Sequence, residues 1–124
     1  MTTSTTKPMK PVVLVVDDEQ AVLMVIQVYC RLAGYESILA EDGLQALQAT
    51  QTISFDLIIT DYQMPLMDGI EFCRRLRMGD RNRSTPVIMS SASVIDLDHS
   101  ALQQELTPIT FAAKPFKPQY LPRI

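Results

Sequence analysis

One pattern recurs five times along this chain: a short aliphatic, β-branched run, then residues whose apolar positions fall at helical spacing. The first run, VVLVV at 12–16, is continuous rather than alternating. Such a run suits a strand covered on both faces, as in a parallel sheet layered between helices. Apolar positions 22, 25, 26, 29, 32 and 33 then trace one side of a helix over 20–33, and Gly34 stops it. Residues 35–39 read as a second strand, and Asp42 caps a helix carrying Leu44 and Leu47. Residues 55–60 form a third strand ending at Asp61. After a loop with Pro65 and Gly69, a third helix puts Ile70, Cys73 and Leu76 on one face. A fourth strand starts over Pro86 to Met89, a helix spans 94–106, and a fifth strand covers 109–113 until Lys114-Pro115 cuts it off.

Strand–helix alternation predicts an α/β fold, a doubly wound five-stranded parallel sheet with helices on both faces. Residues 1–10, rich in Thr and Lys, are expected to be a loose, disordered tail, with one domain over 11–124. A domain of this length buries roughly two-thirds of its unfolded surface and needs no disulfide or zinc. Cys30 and Cys73 sit in helix-like stretches, outside any CxxC or Cys/His cluster, and are expected to be reduced, space-filling thiols.

Right-handed crossovers gather the functional groups at the carboxyl ends of the strands. Those ends carry Asp17 and Asp18 (followed by Glu19), Asp61, Ser90 and Ser91, and Lys114. With strand order 2-1-3-4-5, strands one and three are neighbours and the carboxylates of Asp17, Asp18 and Asp61 converge. Two like charges about 4 Å apart repel by roughly 4 kcal/mol at an effective dielectric near 20. Lys114 offsets part of this, and protonation or a cation relieves the rest. All-oxygen ligands favour Mg²⁺, with Mn²⁺ the alternative; the single histidine, His99, leaves no set for zinc. A carboxylate beside a metal, a lysine and a hydroxyl can take a phosphoryl group, with Asp61 as nucleophile and Lys114 and Ser91 meeting the phosphoryl oxygens.

VLVVDDE, TDYQMPLMDG, PVIMSSAS and FAAKPF occur in this order. Together they resemble bacterial response-regulator receiver domains over about residues 11–117. The resemblance implies a flavodoxin-like fold and a two-state switch. It implies Asp18 as a direct Mg²⁺ ligand, Asp17 as a ligand through water, Gln63 as the donor of a backbone carbonyl to the metal, and Asp61 as phospho-acceptor. It implies Ser91 as the switch hydroxyl, Phe111 as the switch aromatic, Lys114 as the phosphate-binding lysine, and a cis peptide at Lys114-Pro115. It further implies a sensor histidine kinase or histidine phosphotransfer protein upstream, and a C-terminal effector domain or a separate protein downstream. Ser91 stands in place of the commoner threonine, and Phe111 lacks the hydroxyl a tyrosine would offer. The resemblance places Gln63 and Ser93 at positions that in this family often tune autodephosphorylation, and leaves the lifetime of the acyl phosphate open. TPIT replaces the usual Gly-Ala turn before strand five. Pro118 and Pro122 leave the fifth helix short or missing, unless the chain is a piece of a longer protein. A short fifth helix would expose apolar sheet surface and favour a homodimer.

A formal charge of −3 gives no domain-wide nucleic-acid surface. Arg74, Arg75, Arg77, Arg81 and Arg83 are expected to form a solvated helix end and loop, and His99 to lie at the surface. The polar N-terminus and short first apolar run give neither a secretory signal nor a membrane span, so a cytoplasmic location is expected. The domain is expected not to be an enzyme beyond assisting its own phosphorylation and dephosphorylation. Two rival readings stand beside this one. A phosphorylation-independent adaptor is disfavoured by the complete Asp/Asp/Asp/Ser/Lys set. A haloacid-dehalogenase-type phosphatase would need an acid two places after Asp61, where Gln63 stands.

Overall fold

A computed structural model of the chain describes residues 9–92 and 98–124. Most of the expected tail, Ser93 and the first residues expected of the fourth helix lie outside the described residues. The strands are β1 (Val12–Val16), β2 (Glu36–Ala40), β3 (Leu57–Asp61), β4 (Val87–Ser91) and β5 (Ile109–Ala113). The α-helices are α1 (Gln20–Leu32), α2 (Gly43–Thr52), α3 (Gly69–Met78) and α4 (His99–Leu106). All strand pairs are parallel, in the order β2-β1-β3-β4-β5.

The period-two alternation of the strands builds two cores. Val13, Val15, Leu57, Ile59 and Ile88 face Leu23, Ile26 and Cys30 of α1. Leu14, Val16, Ile58, Val87 and Met89 face Ala46, Phe72, Leu76 and Leu106 of the other three helices. The sheet is thus covered on both sides, and its runs are continuous for that reason. Cys30 and Cys73 are free, buried, and on opposite faces. Burial pushes their thiols up to about 11 and about 12, so neither is a thiolate near neutral pH.

Several boundaries shift from the sequence expectation. β3 starts at Leu57 because Phe55 and Asp56 anchor a loop: Phe55 N donates to Asn82 Oδ1 (2.8 Å). β4 runs on through Ser90 and Ser91, because Tyr62 N donates to Ser90 O (2.8 Å) and Lys114 N to Ser91 O (3.0 Å), extending the ladder. Gly34 has φ +86°, the left-handed conformation that ends α1, and Asp42 caps α2 through Gln45 N (2.8 Å).

Among the described residues no α-helix follows β5. Pro118–Tyr120 makes one 3-10 turn, and Tyr120 and Leu121 pack onto the α1 side of the sheet. The Tyr35 hydroxyl donates to Pro122 O (2.6 Å) and accepts from Ile124 N (3.2 Å). Among the described residues, four exposed large apolar side chains lie on α1, at Met24, Val25, Val28 and Leu32; others include Leu44 on α2, Leu66 in the loop after β3 and Met78 on α3, and none lies on a strand. No helix among the described residues is long and apolar enough to cross a membrane.

Two surface expectations need correction. Arg77 is a half-buried clamp: its guanidinium donates to the carbonyls of Leu106, Arg83, Thr85 and Pro108 at 2.8–3.1 Å. Those carbonyls end α4 and precede β4 and β5, and Pro108 O also accepts from Val87 N (3.0 Å). His99 is partly buried, with its ring held against β5.

Candidate functional site

Parallel strands put their carboxyl ends on one edge, and the expected residues meet there. Asp17 N donates to Ala40 O (3.2 Å), prolonging the β1 ladder. Its Oδ1 accepts from Glu19 N (2.9 Å), which turns the chain out of the sheet towards α1. Asp17 is 1% exposed and Asp61 3%, whereas Asp18 and Glu19 reach solvent. The Asp17 carboxyl is pushed up to about 6, chiefly by burial and further by the charges of Asp61 and Asp18, against the opposing Glu19 amide and Lys114.

Lys114, immediately after β5, puts Nζ 2.9 Å from Asp61 Oδ1. The contact is an ion pair lying off hydrogen-bond alignment, so this buried oxygen has no hydrogen-bond partner. Partial burial alone would lower the Lys114 ammonium; Asp61, with Asp17 and Glu19 behind it, outweighs that and raises it. The Lys114-Pro115 peptide is cis, as is Thr107-Pro108 within the unusual TPIT segment.

A cleft of about 560 Å³ is lined by Asp18, Glu19, Asp61, Gln63, Asp68 and Lys114, among others. Asp17 and Ser91 do not line it: both are buried, Ser91 as the last residue of β4. Phe111 stands apart from the cleft, in the middle of β5 opposite Met89. The carboxylates whose oxygens lie within 4.8 Å of one another are Asp17, Asp18 and Glu19. Asp61 was expected in that group; Glu19 was not counted among the site residues, although its place in the DDE run was the signal for it. All-oxygen donors, a carboxyl protonating near pH 6 and an Asp61 oxygen without a hydrogen bond fit a hard divalent cation.

The loop from β3 to α3 is held by Gly69, whose amide donates to Tyr62 O (2.8 Å). A Cβ there would overlap the carbonyl oxygen of Asp61 and stand 3.1 Å from Tyr62 Cα. Gly69→Ala is therefore expected to destabilise the domain by about 2 kcal/mol, as overpacking against fixed backbone does. Urea denaturation measures it, and an unchanged midpoint would show that the loop gives way freely.

The family model described as "Response regulator receiver domain" matches residues 13–124. The chain belongs to the response-regulator receiver family. It is 36% identical over 107 residues to the alkaline phosphatase synthesis transcriptional regulatory protein PhoP of Bacillus subtilis, covering 86% of this chain and 43% of that protein. It is 33% identical over 104 residues to sporulation initiation phosphotransferase F of the same organism, covering 84% of this chain and 82% of that one. The chain spans about half the length of PhoP and of the mycobacterial DNA-binding response regulators MtrA. Among solved structures it resembles the Vibrio cholerae chemotaxis protein CheY4 (TM-score 0.81, 32% identity, 90% of this chain and 92% of that one). It also resembles the receiver domain of a Pseudomonas aeruginosa sensor histidine kinase, which has magnesium coordinated in its active-site cleft (TM-score 0.79, 29% identity, 90% of each chain). The sheet of this receiver domain has the order of the flavodoxin-like fold, and its place is in two-component signalling.

Proposed function

We propose that this receiver domain accepts one phosphoryl group on Asp61. The observation that carries the reading is the buried Asp61 Oδ1, paired with Lys114 at 2.9 Å and lacking a hydrogen bond, at the edge of an acidic cleft. Asp61 attacks phosphorus, the bond to the donor breaks with its electron pair leaving on the donor, and an acyl phosphate remains. For a phosphohistidine donor the leaving group is an imidazole nitrogen. Lys114 transfers its pairing to the new phosphoryl oxygens, and the Ser91 hydroxyl donates to one of them. Asp17, Asp18, Asp61 and the Gln63 carbonyl would hold Mg²⁺, or Mn²⁺, with Glu19 beside them. The cation supplies charge neutralisation for the phosphoryl oxygens. The magnesium in the Pseudomonas neighbour's cleft supports this assignment.

Once Asp61 is phosphorylated, Ser91 draws towards the phosphate and Phe111 fills the space it leaves, changing the α4–β5 face. Phosphate shifts this equilibrium only by its differential affinity for the two states. The upstream partner is a histidine kinase or a histidine phosphotransfer protein, and the output passes to an effector domain or a separate protein. The domain itself contacts neither nucleic acid nor membrane, acts in the cytoplasm, and is an acceptor rather than a turnover enzyme. A homodimer would pair through the exposed α1 side chains Met24, Val25, Val28 and Leu32. Intact mass after acetyl phosphate treatment, with and without Mg²⁺, tests the reading: one Mg²⁺-dependent phosphoryl adduct per chain is expected, and no adduct from any donor would refute it.

A further inference from the structure

The loop from β3 to α3 forms one wall of the acidic cleft: Tyr62, Gln63, Met64, Pro65 and Asp68 all line it. The ends of the loop are tied down. Gly69 N donates to Tyr62 O (2.8 Å), Tyr62 N donates to Ser90 O (2.8 Å), and Asp68 caps α3 through Glu71 N (2.8 Å). Between these ends two methionines hold the loop to the domain. Met64 is buried in the core, and Met67 packs against the same core from its edge. Met67 N also donates to Pro65 O (2.8 Å). That bond closes a tight turn centred on Leu66, whose φ is +71°. Such a turn is strained in a residue with a side chain and persists only where its surroundings hold it.

Met67 stands on Gly43, the first residue of α2. A Cβ on Gly43 would lie 2.9 Å from Met67 Sδ and 3.1 Å from both its Cβ and its Cγ, and these are the three atoms nearest to it. The sulfur could swing aside from an added methyl group. The Cβ of Met67 could not, because it moves only with the loop backbone. Gly43 has no positive φ, unlike Gly34, so its own backbone does not call for glycine, and alanine is the better helix former. What keeps the Gly43 Cα bare is the methionine lying on it. Neither Gly43 nor Met67 lines the cleft.

We propose that Gly43 is a positioning residue for the phosphorylation site: through Met67 it sets how deeply the β3–α3 loop is seated, and so where the loop holds the Gln63 carbonyl. The link is short. A push on Met67 reaches Pro65 through their hydrogen bond. With Met64 fixed in the core, the loop turns about that anchor and carries Gln63, the next residue, with it. This rests on the Mg²⁺ site proposed above and adds the contact that places one of its donors.

The test is an NMR titration of the full chain with magnesium chloride, following the Asp18 and Gln63 amides in wild type, Gly43→Ala, Met67→Ala and the double variant Gly43→Ala/Met67→Ala. Gly43→Ala should weaken Mg²⁺ binding at least about threefold, in the manner of groups that stand behind metal ligands. Met67→Ala should weaken it too, because the loop loses its seat. The double variant should bind no more weakly than Met67→Ala, the non-additivity of a shared contact. Urea denaturation of each variant separates positioning from packing. A merely structural contact would lower the Gly43→Ala midpoint and leave the Mg²⁺ affinity of the folded chain at the wild-type value, and that result would overturn the proposal. An equal loss of affinity from Gly43→Ala in wild type and in Met67→Ala would also overturn it. Should Gly43→Ala not fold, Met67→Ala carries the test, and wild-type affinity there would overturn the proposal. Wild type whose amides do not respond to Mg²⁺ would overturn the metal-site reading, and this one with it.

Discussion

Asp61→Asn is expected to take up no phosphoryl group from acetyl phosphate, where wild type gains a single Mg²⁺-dependent adduct. Asparagine keeps the size and planarity of the side chain but removes the nucleophilic oxygen. Its effect on folding is expected to be small. The substitution removes a repulsion that helps push the Asp17 carboxyl up, and it also removes the partner 2.9 Å from Lys114. These oppose each other, and Lys114 still faces Asp17 and Glu19. Circular dichroism should therefore match wild type while the mass adduct is lost. An adduct on the Asp61→Asn chain, mapped by peptide sequencing to another residue, would sink the acceptor assignment.

The second large effect concerns Asp17 in the absence of metal. Its carboxyl protonates near 6 in the folded chain against 3.8 unfolded, so the folded state holds its proton more tightly. This group's contribution is fully present below about pH 4 and is lost as pH rises towards 6. The loss amounts to about 3 kcal/mol, at 1.36 kcal/mol per pH unit of difference. In EDTA, Asp17→Asn should match wild type near pH 4 and exceed it by about that amount at pH 7. The asparagine oxygen can still accept the Glu19 amide that Asp17 Oδ1 accepts at 2.9 Å. Added Mg²⁺ should narrow the gap at pH 7, because binding to the folded state stabilises wild type and compensates its charge. Chemical denaturation from pH 4 to 7.5 reads both effects. Parallel stability curves for wild type and Asp17→Asn would show that burial costs this carboxylate little.

A reader of the sequence alone could reach the fold because its signals are local. Continuous runs such as 12–16 mark buried strands, Gly34 and Asp42 mark helix ends, and parallel topology then sends every strand's carboxyl end to one edge. Asp17, Asp18, Asp61 and Lys114 converge as a consequence of connectivity, and the four motifs by themselves carry the family resemblance. Strand limits were less legible: whether Ser90 and Ser91 end β4 or begin a loop depends on hydrogen bonds from Tyr62 and Lys114, residues 28 and 23 positions away by number from their partners. Glu19 joins Asp17 and Asp18 through a local turn made by Asp17's own side chain, so the DDE run itself carried that signal. Only tertiary structure turned Arg77 from a surface cation into a clamp and His99 from a surface residue into the partner of Phe111. In both cases the deciding partner comes from another element, and helical spacing carries no information about what a side chain meets across the gap between elements.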